Sequence, residues 1–193
     1  MRKLGFLLVL CGALVAETVL AGEAQGLDTF VQESRGTVKT FAGQLKGELQ
    51  AAIKEGGPKK AITVCNAKAP EIAGALSKPG TLSVGRTSLK LRNTANTPDA
   101  WETATLQEFL TRAAAGEDLK TMEKVELVKT DGQATYRYMK AIPTGEVCLA
   151  CHGTNIEPDL QAHIDTLYPQ DQATGFTPGM LRGAFTISKT ATN

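Results

Sequence analysis

The chain has 193 residues, of which 21 are Lys or Arg and 20 are Asp or Glu, giving a formal net charge of +1. That balance offers no basic surplus for a nucleic-acid backbone and no acidic surplus for a solvating tail. With 42% hydrophobic residues, the chain is long enough to bury a sizeable core.

The N-terminus, MRKLGFLLVLCGALVAETVLAG, sets Arg2 and Lys3 before an apolar run from Leu4 to Ala16. Val19-Leu20-Ala21 ends on the small residue expected at a cleavage point, and Leu14-Val15-Ala16 is a second candidate. This is the pattern of a secretory signal peptide, and the run is shorter than the roughly 20 apolar residues of a membrane span. Residues 1–21 are therefore read as a cleaved signal peptide and 22–193 as a single domain exported to the periplasm. A lipoprotein reading around Cys11 is disfavoured by the large Leu10, so Cys11 is expected to leave with the signal peptide. Cys65, Cys148 and Cys151 remain, with two histidines, His152 and His163. An odd number of thiols in an oxidising compartment cannot be a set of disulfides.

Leu27 to Glu55 reads as a long amphipathic helix, with Phe30, Val38, Phe41, Leu45, Leu49 and Ile53 on one face. Gly56-Gly57-Pro58 stops it and starts a second helix carrying Cys65, which Pro70 is expected to break or restart. "TLSVGRTS" alternates as a short strand, and "LKLRNTANTP" is a turn-rich loop in which Asn93 and Asn96 suit turn formation. A helix from Trp101 to Ala115 follows, with Thr97 as cap, Pro98 at the first position and Gly116 as terminator. "EKVELVKTDGQATYRYMKAI" alternates on both sides of Asp131-Gly132, a strong hairpin signal. "EPDLQAHIDTLYP" predicts a short helix and "GMLRGAFTISK" a last strand. Helices followed by an antiparallel meander indicate an α+β fold rather than a helical bundle.

The stretch Glu146-Val-Cys-Leu-Ala-Cys-His-Gly153 carries the chemistry. A closed zinc site needs four ligands, usually as two pairs, and no second Cys/His pair is present. A thioredoxin-like dithiol follows the first strand of a βαβ unit, and no such pattern precedes this motif. Haem attachment fits each position. Two thiols a short helical turn apart, Cys148 and Cys151, can add to the two porphyrin vinyl groups, and His152 then stands as an axial ligand. Gly153 is read as leaving room beside the ring. The sixth iron position has five candidates: His163, Met122, Met139, Met180 and Cys65. His163 reads as a surface or edge residue, and each methionine as a gap filler. Cys65 lies at helical spacing with Ala61, Ala69, Ile72, Ala73 and Leu76, and either a small buried hydrophobe or a soft thiolate ligand fits it.

"AITVCNAKAPEIA", then "GRTSLKLRNTANTPDAWE", then the late "CLACHG" together resemble a family of bacterial and cyanobacterial c-type haem proteins with a PAS-like domain. The likeness runs from about Phe41 to Ile187 and joins three separated motifs in order. It implies one covalently attached haem c, held by Cys148 and Cys151, with His152 and Cys65 as axial ligands. It also implies a PAS-like antiparallel sheet with a long N-terminal helix and flanking helices. Arg86 and Arg92 flank the turn-rich loop, and their forked guanidinium groups suit the haem propionates.

Six-coordinate iron leaves no open place for oxygen or peroxide, which argues for electron storage or sensing. The first expectation is a periplasmic redox sensor, with gas sensing as a variant. The second is a simple electron carrier, and the third a sulfur-compound oxidoreductase, for which no catalytic set is visible. A redox partner or a separate signalling protein is the expected partner. A homodimer is an allowed state, and neither nucleic acid nor stable membrane insertion is expected.

Overall fold

Gly56 and Gly57 divide the long N-terminal helix, α1 (Leu10–Leu76), into two arms. Gly57 takes a left-handed φ of 69°, open to glycine without a Cβ penalty, and Pro58 restarts the helix immediately. This computed structural model describes residues 10–130 and 132–191, with side chains from residue 24 onward. The expected signal peptide thus lies outside the described residues or is described as backbone alone, and Asp131 of the expected hairpin turn lies outside them too.

The arms meet in one core cluster, where Ile72, Ala73 and Leu76 of the second join Val38, Phe41, Ala42 and Leu45 of the first. Pro70 does not break the helix as the sequence suggested, because the second arm continues through it to Leu76. Ala69 and Ile72 are buried on either side of it. Burial of that face outweighs the roughly 3 kcal/mol that an interior proline costs.

Four strands, β1 (Leu82–Thr87), β2 (Glu123–Thr130), β3 (Gln133–Pro143) and β4 (Leu181–Thr190), form one antiparallel sheet in the order β1-β4-β3-β2. The β2–β3 hairpin closes between Thr130 and Gln133, with Gly132 at a φ of 79°. Strand alternation splits the sheet's side chains between two covers. Val84, Phe185, Ile187 and Tyr138 share one cluster with Phe30 and Phe41 of α1. Met139, Ala141 and Ala184, on the other face, join Leu106 and Phe109 of α2 (Ala100–Ala114). The fold is α+β, as expected.

The cap of α2 is Asp99 rather than Thr97. Asp99 accepts from the Glu102 backbone N–H at 2.9 Å, and Glu102 accepts from the Asp99 N–H at 3.1 Å. This reciprocal box satisfies two orphan donors at once. Thr97 instead closes a short turn onto Thr94, which the Asn93 side chain opens by capping Ala95. Two short helices complete the chain, α3 (Leu149–His152) and α4 (Pro158–Leu167). No helix among the described residues is long and apolar enough to cross a membrane.

Candidate functional site

The end of β3 delivers the chain to the CLACH segment. Thr144 is pinned on both sides: its N–H donates to Met180 O at 2.7 Å and its carbonyl accepts from Gly179 N at 2.8 Å. A short 3-10 turn, Glu146–Cys148, then runs into α3, so Cys148 and Cys151 sit one helical turn apart. Gly153 ends α3 by donating to Leu149 O at 2.8 Å. A Cβ at Gly153 would lie 2.5 Å from that same oxygen. The backbone of the preceding turn therefore by itself requires a residue without a Cβ there.

His152 is held from behind. Its Nδ1 lies 2.7 Å from Ala173 O. A carbonyl can only accept, so Nδ1 carries the hydrogen and Nε2 keeps its lone pair. The His152 and Gly153 carbonyls also accept from Phe176 N and Gly175 N, both at 2.9 Å, and the Phe176 ring meets the imidazole edge-on at 6.2 Å. Burial, with help from the Arg182 and Arg92 charges, lowers the His152 pKa well below the usual 6.5, although the Ala173 bond opposes this. The ring is therefore neutral at physiological pH.

Arg92, 8% exposed, ties the surrounding loops together. It pairs with Asp171, at 3.2 Å from Nε and 2.9 Å from Nη2. The same Nη2 donates to Cys151 O at 2.6 Å and Ala173 O at 3.3 Å. Its Nη1 is buried with no hydrogen-bond partner among the described residues. Arg86 rests over the Phe41 ring at 5.5 Å. Arg182 lies over Phe176 at 5.2 Å and donates to Ser88 Oγ and Lys90 O. Burial and the neighbouring Arg92 and Arg86 charges pull the Arg182 pKa down to about 10, still charged at neutral pH.

Cys65 comes to this cluster on the second arm of α1. Burial raises its thiol pKa while Arg86 and Arg92 pull it down. The Cys151 thiol, raised mainly by burial, lies within electrostatic reach of Arg92, Cys65 and Cys148. The arm is held there by α4. Ile62 packs with Leu160, Ile164 and Tyr168, and Cys151 packs against the same group. Lys59 pairs with Asp159 at 3.1 Å, and Thr63 Oγ1 bonds His163 Nε2 at 3.0 Å. Matching four-residue steps on both helices mean that α4 runs parallel to the second arm. The Asn66 side chain, next to Cys65, lies where it can donate to the Tyr168 hydroxyl, which favours the phenolate.

The structure therefore gathers Cys65, Cys148, Cys151, His152, Arg86 and Arg92 into one region. His163 belongs to the α1–α4 seam instead, because Thr63 and Cys65 are 200° apart around their helix. Met122 and Met139 are fully buried in the core under α2. Met180 is exposed, with its sulfur accepting from Thr177 N at 3.2 Å. Sequence reasoning missed Asp171, Arg182 and the Ala173 carbonyl. All three act through loop and strand contacts that no periodicity records. Four sulfur and nitrogen donors are available, yet no three His, Cys, Asp or Glu side chains among the described residues form a ready-made metal cage. What the geometry offers is a neutral imidazole, three free thiols and a surplus of positive charge, from the half-buried Arg86 and Arg182 beside the buried Arg92–Asp171 pair.

The family model described as Tll0287-like, Tll0287, matches residues 16–189. Among solved structures, the chain is similar to the cyanobacterial heme-protein Tll0287, at 27% sequence identity and a TM-score of 0.56. That likeness covers 83% of this chain and 97% of the other. No curated protein matches.

Proposed function

This chain belongs to the Tll0287-like family, and from that premise we propose that it is an exported c-type haem protein acting as a redox sensor. In this reading Cys148 and Cys151 attach the haem through thioether links, and His152 and Cys65 are the axial ligands. The antiparallel order β1-β4-β3-β2, with the first strand beside the last, supports a PAS-like description.

The observation that carries the proposal is His152, locked by Ala173 O with Nε2 free, directly after two free thiols one turn apart. Charge supplies the test of fit. Arg86, Arg92 and Arg182 face one another's charge near the site, with Asp171 as the carboxylate among them. Arg92 Nη1 is an orphan buried donor. Two haem propionates would complement that surplus and accept from that donor, so the residues present fit the group. Bound there, haem would supply a one-electron ferric/ferrous couple.

The chain's own residues then do the rest. His152 offers a fixed nitrogen, Cys65 a soft sulfur that favours the ferric state, and the arginines hold the anionic edge. A sensor is favoured over a simple carrier because Cys65 stands on a helix with several attachments. Any change in what its sulfur holds passes to Tyr168 through Asn66 and to α4 through Ile62. A separate signalling or redox protein would receive that change.

The test is the intact mass of the exported protein, then visible and EPR spectra in both oxidation states with and without CO or NO. A mass increase of one haem and a change of axial ligation on reduction are expected. Unchanged ligation in both states, with no gas binding, would leave an electron carrier.

A further inference from the structure

We propose that the buried Asp171–Arg92 ion pair is the positioning device for His152, setting the orientation and basicity of its imidazole; this rests on the haem reading above. Five bonds converge on this one arrangement. Asp171 accepts from Arg92 Nε and Nη2, and its Oδ1 also accepts from Ala173 N at 2.8 Å. Arg92 Nη2 in turn reaches Cys151 O at 2.6 Å and Ala173 O at 3.3 Å. The residue before His152 and the carbonyl behind it are thus tied to the same guanidinium.

Stability alone is a poor reason for such a pair. The side chains are 8% and 3% exposed, and buried ion pairs often contribute no more than well-packed apolar residues would. Geometry is the better reason, because a planar fork can hold a carboxylate and two carbonyls at fixed angles where an ammonium cannot. Ala173 O is also shared between a cation and His152 Nδ1–H. A carbonyl engaged by Arg92 is a weaker acceptor for the imidazole, so His152 keeps less imidazolate character than an unshared bond would give it.

The test compares Arg92→Lys and Asp171→Asn with wild type as purified holoproteins. Arg92→Lys keeps the charge but unshares the Ala173 carbonyl. His152 becomes a stronger donor, the midpoint potential falls, and the low-spin EPR signal broadens or splits as the ring loses its fixed orientation. Asp171→Asn retains the acceptor for Ala173 N but frees the guanidinium, so the same EPR broadening is expected. A potential and EPR line shape for Arg92→Lys identical to wild type would overturn the proposal. If that variant does not accumulate, an unchanged EPR signal in Asp171→Asn overturns it equally. Wild-type protein whose mass equals the bare polypeptide would instead overturn the haem reading, and this inference with it.

Discussion

His152 Nδ1 reaches the carbonyl oxygen of Ala173 at 2.7 Å across 21 residues of sequence. That single bond fixes the tautomer of the ring, aims Nε2 away from the loop and joins the CLACH segment to the chain before β4. Because the carbonyl cannot donate, the assignment follows from chemistry rather than from a choice of hydrogen position.

Replacing Cys65 tests its proposed role as the second axial ligand. Cys65→Ala removes one sulfur from a partly buried position on the second arm of α1. The expected outcome is a folded, pigmented protein that has lost the thiolate signature in its ferric EPR spectrum, with about 1 kcal/mol of stability lost. A thiolate signature that survives the substitution excludes Cys65 as a ligand.

His163→Ala should be spectroscopically silent. The imidazole bonds the exposed Thr63 hydroxyl, at 3.0 Å, in the α1–α4 seam. Losing that bond costs about 0.5–1 kcal/mol in a denaturant titration and leaves the visible and EPR spectra unchanged. A change of axial-ligand spectrum would move the sixth ligand to His163.

Gly153→Ala probes the turn that ends α3. The new methyl carbon would stand 2.5 Å from Leu149 O, and relief of such a contact costs about 1–3 kcal/mol. The strain falls on His152 and Gly153, whose carbonyls accept from Phe176 N and Gly175 N. The fraction of chains carrying the haem mass should therefore drop. Full loading would show that the attachment turn tolerates a different ending.

The contact between α1 and the sheet should give a pH-dependent stability. Burial alone would raise the Glu123 pKa, but hydrogen bonds from Arg35 and Tyr138 outweigh it and hold the carboxyl below its usual 4.5. Tyr138 Oη donates at 2.7 Å, and its own ionisation is pushed up by burial and by Glu123. A depressed carboxylate contributes stability that is complete above its unfolded pKa and fades as pH falls through the folded value. Wild type should thus lose stability below about pH 4.5, in part through Glu123. Glu123→Gln should flatten that part of the curve and cost about 1–2 kcal/mol at neutral pH, as the buried Tyr138 hydroxyl loses its charged acceptor. Parallel acid curves for the two proteins would exclude this role.

Local sequence determined most of the elements. The apolar stripe of the first helix, the Gly-Gly-Pro interruption, the Asp-Gly hairpin and the last alternating strand are all short-range patterns, and each reappears in the fold. Where local rules competed, neighbours decided. Pro70 stays inside a helix because Ala69 and Ile72 are buried beside it, and Asp99 displaces Thr97 as cap because Glu102 completes the reciprocal box.

The sequence by itself determined the donor set: two thiols one helical turn apart, a histidine next to them and a lone third thiol on a helix, since spacing within a helix is a local property. Only the tertiary structure decided which distant groups attend them. The parallel seating of α4 brings Cys65 to the site and occupies His163 elsewhere. The Asp171–Arg92 pair and the Ala173 carbonyl reach His152 through loops. Contacts of that kind depend on how separate segments pack, and no periodicity along the chain encodes them.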